Sequence, residues 1–303
     1  MRYRYAEVYA FGNRPGLGNG AGVLPDARGL SEDDMQAIAR LNNLSETAFL
    51  FPREDPECPY QVIFFTPAHR IAMCGHATLA SAFIYWRAQG RPALLRFTQQ
   101  ADVGRLGLEV LGESEGPLVF LEMDRPSLVR NLDRERGRIA TALRVLGQDL
   151  CQDLPVMVNE RGYLFLPLRT LRTLQEMVPD FGAMSALDQE LGLHGWYVFS
   201  RETIDPTRQI HGRFFAPYFG ILEDPVTGTA NGYLAAYWLR YLGGQSSGTF
   251  RVEQGFEIGR DGLLEVRYDS RDGQLTEVWV GGRASLYLEG DLYWGRENPV
   301  QDG

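Results

Sequence analysis

The chain has 303 residues, a net charge of −9 and a pI near 5.1; it is 44% hydrophobic and 23% charged, and all 30 of its basic residues are arginine. A chain of this size can bury a large core and accommodate two ordinary domains. The absence of lysine excludes Schiff-base chemistry, pyridoxal phosphate included, and a GxxxxGK phosphate loop, while the acidic total offers no basic footprint for nucleic acid.

Residues 3–11, where aromatic and β-branched side chains cluster, predict a strand that stops at the glycine-rich turn 12–20, and residues 21–24 predict a second strand. Ser31 is placed to cap a helix over 32–42, with Glu32, Asp33 and Asp34 in its first turn and Met35, Ile38 and Ala39 at helical spacing. Strands are expected at 48–52 and 60–66, then a turn at Pro67 and a helix over 76–87. Segments 93–98, 106–112 and 117–123 have the character of antiparallel strands, and an arginine-rich amphipathic helix is expected over 130–146. The expected domain boundary falls beside it, giving 1–125 and 126–303, with the last strand packing across that boundary. Further strands are expected at 155–159, 162–167, 195–200 and 212–215, helices at 170–177 and 229–241, and a strand series to the end.

Cys58, Cys74 and Cys151 are too few and too scattered for a disulfide framework or a zinc knuckle, and the four histidines supply no HExxH. A reduced, cytoplasmic setting is therefore expected. The N-terminus lacks the apolar run of a signal peptide, and no stretch approaches eighteen apolar residues, so no membrane partner is expected.

The two halves resemble each other. Phe64-Phe65-Thr66-Pro67 is matched by Phe214-Phe215-Ala216-Pro217, Cys74-Gly75-His76-Ala77 by Thr227-Gly228-Thr229-Ala230, and Tyr85-Trp86 by Tyr237-Trp238, which reads as a duplicated α/β unit. In each copy a glycine stands where extended chain enters a helix, so unpaired N–H groups and a positive dipole end are offered to a small anion. Taken singly, either glycine is better explained by close helix packing. His76 sits at the start of its helix, where dipole and desolvation disfavour imidazolium, and is expected to be neutral at pH 7. Asp224 precedes the second helix and is explained equally by function or by an Asx turn into Pro225, while its neighbour Glu223 could be a solvated charge. Glu46, in Ser45-Glu46-Thr47-Ala48-Phe49, lies between a helix and an apolar strand, a place usually taken by a surface or turn residue.

Four motifs occur together in order: Gly18-Asn19 with Ala21-Gly22-Val23; Ser45-Glu46-Thr47-Ala48-Phe49; Phe65-Thr66-Pro67 with Cys74-Gly75-His76-Ala77-Thr78; and Glu223-Asp224-Pro225-Val226-Thr227-Gly228 with Ala230-Asn231-Gly232. On these the chain resembles the phenazine-biosynthesis PhzF-like family of the diaminopimelate epimerase-like fold, over nearly its whole length. The resemblance implies an α+β fold of two pseudo-symmetric domains, each a curved mixed or antiparallel sheet wrapped around a central helix, with the active site in the cleft between them. It implies isomerisation of the kind undergone by dihydro-hydroxyanthranilate, without cofactor or metal, with Glu46 as general acid/base. His76 and Asp224 would contact substrate, and backbone near Gly228 would hold its carboxylate. Gly75, Thr229 and Asn19 complete the expected substrate-binding set, and a homodimer is implied.

Burial of Glu46 against neighbours such as Phe49 would raise its pKa toward neutrality. A racemase of the same fold uses two cysteines; here Cys74 fills the first place and Thr227 the second, so Cys74 is expected to be a small packing residue. Relatives carry an acidic residue and a proline where this chain has Arg70 and Ala72, a change that would alter the charge the site accepts. Two other readings stay open: an amino-acid racemase or epimerase using Cys74, and a carboxylate-binding homodimer without turnover.

Overall fold

The computed structural model describes residues 1–295, so the expected continuation of strands beyond that point lies outside the described residues. The chain forms two compact units, each contributed by separated segments. Among the described residues the first takes Met1–Ala10, Gly20–Val119 and Ala284–Gly295; the second takes Phe11–Asn19 and Phe120–Arg283.

In the first unit β1 (Arg2–Ala10) pairs antiparallel with the end of the long last strand, and β2 (Asn19–Leu24) carries an apolar run buried along its whole length. Helix α1 (Glu32–Asn42) starts as its sequence predicts: Ser31 accepts from the Asp34 N–H, Asp34 answers the Ser31 N–H, and Asn43 ends the helix in the left-handed region. Such a capping box is worth about 1 kcal/mol. Strands β3 (Glu46–Pro52), β4 (Tyr60–Phe65) and β5 (Arg70–Ile71) follow. Then come helix α2 (Gly75–Ala88) and strands β6 (Leu94–Ala101), β7 (Gly104–Leu111) and β8 (Leu118–Glu122). Nearly every residue from Gly75 to Ile84 is buried, because α2 is apolar or small-sided all round, the mark of a helix enclosed by its surroundings. It packs against β1, β3 and β7.

The second unit contains β9 (Leu128–Asn131), α3 (Arg136–Leu143), β10 (Met157–Asn159), β11 (Tyr163–Pro167), α4 (Leu171–Glu176) and α5 (Phe181–Leu191). Strands β12 (Gly195–Ser200), β13 (Ile210–Ala216) and β14 (Ile221–Asp224) lead to helix α6 (Gly228–Tyr241), and β15 (Ser247–Gln254), β16 (Gly262–Arg271) and β17 (Gln274–Tyr293) as far as Arg283 complete it. Helix α6 has the length of α2, also begins at a glycine and is likewise largely buried.

The topology repeats. Strands β2 and β3 run parallel with α1 between them, β3–β4, β4–β5 and β6–β7 are antiparallel, and β4–β6 is parallel. The second unit gives the same series as β11–β12 parallel, with α4 and α5 between, then β12–β13, β13–β14 and β15–β16 antiparallel and β13–β15 parallel. The Phe-Phe pairs of the sequence repeat fall at corresponding places, Phe64 opposite Ala48 and Phe214 opposite Tyr197. This is the α+β architecture expected, a mixed sheet about a central helix in each half.

Several elements differ from expectation, among them the short strands β5 and β14, which were not expected. The helix expected over 130–146 is confined to α3, because residues 128–131 pair antiparallel with β10 as β9. Helix α5 was not anticipated, although Asp180 caps it through the Ala183 N–H and Gly192 ends it at φ 62°.

Outside the expected site, His211 of β13 is fully buried between Glu253 (Nδ1 to Oε1, 2.7 Å) and Glu257 (Nε2 to Oε1, 2.8 Å). Burial opposes its charge, and the two carboxylates outweigh that, raising its pKa to about 9. Because this folded value lies above the ordinary 6.5, the stabilisation is fully present below pH 6.5 and is lost as pH rises through about 9. The loss should be on the order of 3 kcal/mol. Urea denaturation at pH 6 and pH 10 should show that decline in the native chain and much less of it in His211→Gln; equal declines would contradict the assignment.

Candidate active site

In the first unit β3 and α2 bring three chemically active side chains together. Glu46 is the first residue of β3, fixed by parallel pairing with Ala21; Cys74 is the N-cap of α2 and His76 lies in its first turn. His76 Nε2 stands 2.8 Å from Glu46 Oε2, and Cys74 Sγ is 3.5 Å from His76 Nδ1. All three are largely buried, with side-chain exposure of 9% for His76 and 14% for Glu46. Although the pair is close, Glu46 Oε2 receives no well-aligned hydrogen bond. The carboxylate oxygen is therefore shielded from water and still has lone-pair capacity.

The charges differ from the sequence expectation. Burial pushes the Glu46 carboxyl up, but attraction and hydrogen bonding from His76, with a further bond from Cys74, more than offset it and hold its pKa below the usual carboxylate value. Burial likewise opposes the charged form of His76, yet Cys74 and Glu46 together hold it well above 6.5. Cys74 itself is pushed up to about 11, first by burial and then by the Glu46 charge, so it is a thiol at neutral pH and Glu46 is the anion that keeps His76 protonated. Both shifts thus run opposite to expectation: His76 is raised rather than lowered, and Glu46 is lowered rather than raised. Cys74 also does more than fill space.

The second unit holds a neutral polar network around one carboxylate. Asp224 ends β14 and accepts from Asn19 Nδ2 at 2.9 Å on one oxygen and from Thr227 Oγ1 at 2.6 Å on the other. Asn19 also donates to the Val226 carbonyl. Gln254 donates to the Asp224 carbonyl (3.0 Å) and to Thr227 Oγ1 (3.1 Å), and accepts from Asn231 at 2.9 Å. Tyr197 closes the chain onto Asn231 at 2.6 Å. At the start of α6 the Asn231 N–H donates to the Thr227 carbonyl, and the amides of Gly228 and Thr229, which precede it, have no intrahelical acceptor, as at any helix start. Thr229 also bonds the Tyr163 hydroxyl.

Comparison with known proteins places these residues in context. The family signature described as "PhzC-PhzF: Phenazine biosynthesis-like protein" matches residues 8–290. The chain belongs to the PhzC-PhzF family. It is 32% identical over 298 residues to an uncharacterized isomerase of Clostridium acetobutylicum, covering 96% of this chain and 98% of that one. It is 30% identical over 292 residues to the trans-2,3-dihydro-3-hydroxyanthranilate isomerase of Pseudomonas chlororaphis, covering 96% and 99%. The crystal structure of a Bacillus anthracis phenazine biosynthesis protein of the PhzF family is similar at a TM-score of 0.86 and 26% identity, covering 97% and 100%. The chain is thus an isomerase of the diaminopimelate epimerase-like fold.

Within the PhzC-PhzF frame, the first unit joins Glu46 and His76 as a pair and adds Cys74, while the second joins Asn19 and Asp224 and sets Gly228 and Thr229 in the same helix start. Arg70 is not part of either group: its guanidinium binds Asp102 (3.0 and 2.8 Å) and also pairs with Glu32. Glu223 is no solvated charge either, since Arg213 grips it bidentately at 2.9 and 2.8 Å. The network members Gln254, Asn231 and Tyr197 escaped sequence reasoning, apart from the position of Asn231 in its motif, because nothing local ties residues so far apart. Gly228 has a packing reason beside any chemical one, as a Cβ there would lie 2.9 Å from the buried ring of Phe11. Gly228→Ala should therefore cost about 1–3 kcal/mol in urea denaturation; a neutral substitution would show that Phe11 yields freely.

Proposed function

We propose that this isomerase moves a proton within a small cyclic or unsaturated amino or hydroxy carboxylate, without a cofactor, and that Glu46 both removes and returns the proton. The observation that carries the reading is the buried, ionised Glu46 carboxylate with an oxygen lacking an aligned donor. A base taking a proton from carbon must be ionised when substrate arrives, and the neighbouring His76, which lowers the Glu46 pKa, favours this.

The same pair addresses the charge that develops. When Glu46 takes the proton its negative charge disappears and an equal charge grows on the substrate. His76, adjacent to the carboxylate, can turn a ring N–H toward that growing charge, so the buried site keeps a balanced pair throughout. One carboxyl acting alone returns the proton to the face it came from. A two-thiol racemase is disfavoured because Thr227 stands at the second N-cap place and the Cys74 pKa near 11 leaves little thiolate.

Substrate recognition is assigned to the remaining expected residues. The carboxylate would be held by the amides of Gly228 and Thr229 at the helix start, an arrangement suited to anions; Gly75 offers the equivalent amide on α2. Asp224, oriented by Asn19 and Thr227, would accept a hydrogen bond from a substrate amine or hydroxyl. Substrate pairing with these groups rather than with a lysine suits a chain that has none.

The test uses D2O and a panel of cyclic unsaturated acids that begins with the substrate named for the Pseudomonas chlororaphis relative. The native chain should introduce deuterium at a ring carbon, and Glu46→Gln should slow the reaction about 10²–10⁴-fold, the usual range for a general acid/base. Full turnover in Glu46→Gln would remove Glu46 from the mechanism.

A further inference from the structure

We infer that Tyr197, Asn231 and Gln254 are positioning residues for the reaction: with Thr227 they form a one-way hydrogen-bond relay that holds the Asp224 carboxylate in one orientation for substrate. The direction of each bond is set by backbone groups that can play only one role. Asn231 has one side-chain atom 2.9 Å from the Thr227 carbonyl, which can only accept, so that atom is the Nδ2 donor and Oδ1 faces Tyr197. The Tyr197 hydroxyl, 2.6 Å from that oxygen, must therefore donate. Gln254 is pinned in the same manner. Its atom 3.0 Å from the Asp224 carbonyl is Nε2, while Oε1 accepts from the Thr227 N–H at 3.3 Å and from Asn231 Nδ2 at 2.9 Å. Gln254 Nε2 then donates to Thr227 Oγ1 at 3.1 Å, and the Thr227 hydroxyl donates to Asp224 Oδ2 at 2.6 Å. Every donor in the series points toward Asp224, and hydrogen bonds aligned head to tail polarise and strengthen one another.

Burial makes the relay rigid. Tyr197, Asn231 and Gln254 are fully buried and Thr227 nearly so, so water cannot replace a missing partner. Burial also pushes the Tyr197 phenol up from its ordinary value, so the first donor keeps its proton. The first unit shows that the fold itself does not call for such a series. There the same register places Ala48 opposite Phe64, where Tyr197 stands opposite Phe214, and the repeat that matches Cys74 with Thr227 puts Thr78 in the place of Asn231. Gln99 bonds Thr78 at 2.9 Å, but the methyl of Ala48 has nothing to donate. The relay is thus confined to the helix start that carries Asp224, and a demand of folding alone would have appeared in both copies. Its effect on the reaction rests on the reading that Asp224 meets substrate; its direction does not.

The test begins on the full chain without substrate. In carbon NMR the Asp224 carboxyl signal, assigned with Asp224→Asn, should be displaced in Tyr197→Phe, which removes one hydroxyl at the far end of the relay, while the Asp291 carboxyl stays in place. An unmoved Asp224 signal in folded Tyr197→Phe overturns the relay. With trans-2,3-dihydro-3-hydroxyanthranilate, the substrate named for the Pseudomonas chlororaphis relative, Tyr197→Phe should raise KM about 2–10-fold, the range for one neutral hydrogen bond, and leave kcat near native. In a Gln254→Met background the same change should add nothing to KM, because the relay is already cut. Additive effects on KM, or a reduced kcat with KM unchanged as a merely structural loss would give, overturn the positioning role. A native chain that leaves this acid unchanged counts against the proposed reaction on that substrate, and the carboxyl signal still decides the relay.

Discussion

A carboxylate and an imidazole buried side by side are tolerable only as partners. Removing either from Glu46–His76 would leave a charge with little water to solvate it, a loss that typically costs about 3–5 kcal/mol. The pair also sits where the N–H groups of α2 begin, which stabilises the anion and works against the cation, so the ionised state depends on proximity rather than on the helix. Everything nearby serves to keep that distance short. Strand β3 is fixed between β2 and β4, and α2 is enclosed on nearly every face, so neither partner can retreat to solvent.

The duplicated topology gives the protein two copies of one device, a strand hairpin leading to a glycine at the start of a buried helix. The copies have diverged chemically. In the first the helix begins Cys74-Gly75-His76 and carries charge together with a nucleophile; in the second it begins Thr227-Gly228-Thr229 and carries hydroxyls and a neutral amide network that orients Asp224. Such division lets one frame move protons while the other supplies fixed hydrogen-bonding directions, without the loop motions that would loosen either.

Much of this was legible in the sequence. Hydrophobic periodicity, the Ser31 cap and the repeated Phe-Phe, glycine and Tyr-Trp motifs are local signals, and they located the main helices, most strands and the positions of Glu46, His76 and Asp224. What escaped was nonlocal. Whether residues 128–131 continue a helix or pair as β9 depends on β10, some thirty residues later, and Arg213 finds Glu223 only once β13 and β14 are in register. The interleaving of chain segments between the two units likewise has no local marker. Protonation states were least accessible: position at a helix start argued for a neutral His76 and burial for a raised Glu46 pKa, and each argument fails because it treats one group without the other.

The central claim is that the pair is ionised at neutral pH, and nitrogen NMR of the His76 ring in the substrate-free enzyme tests it directly. With His76→Gln used to assign the signal among the four histidines, both ring nitrogens should remain protonated at pH 7 and well above the ordinary 6.5, and the ring should titrate at lower pH in Glu46→Gln. A neutral His76 ring at pH 7 in the native chain would contradict the account.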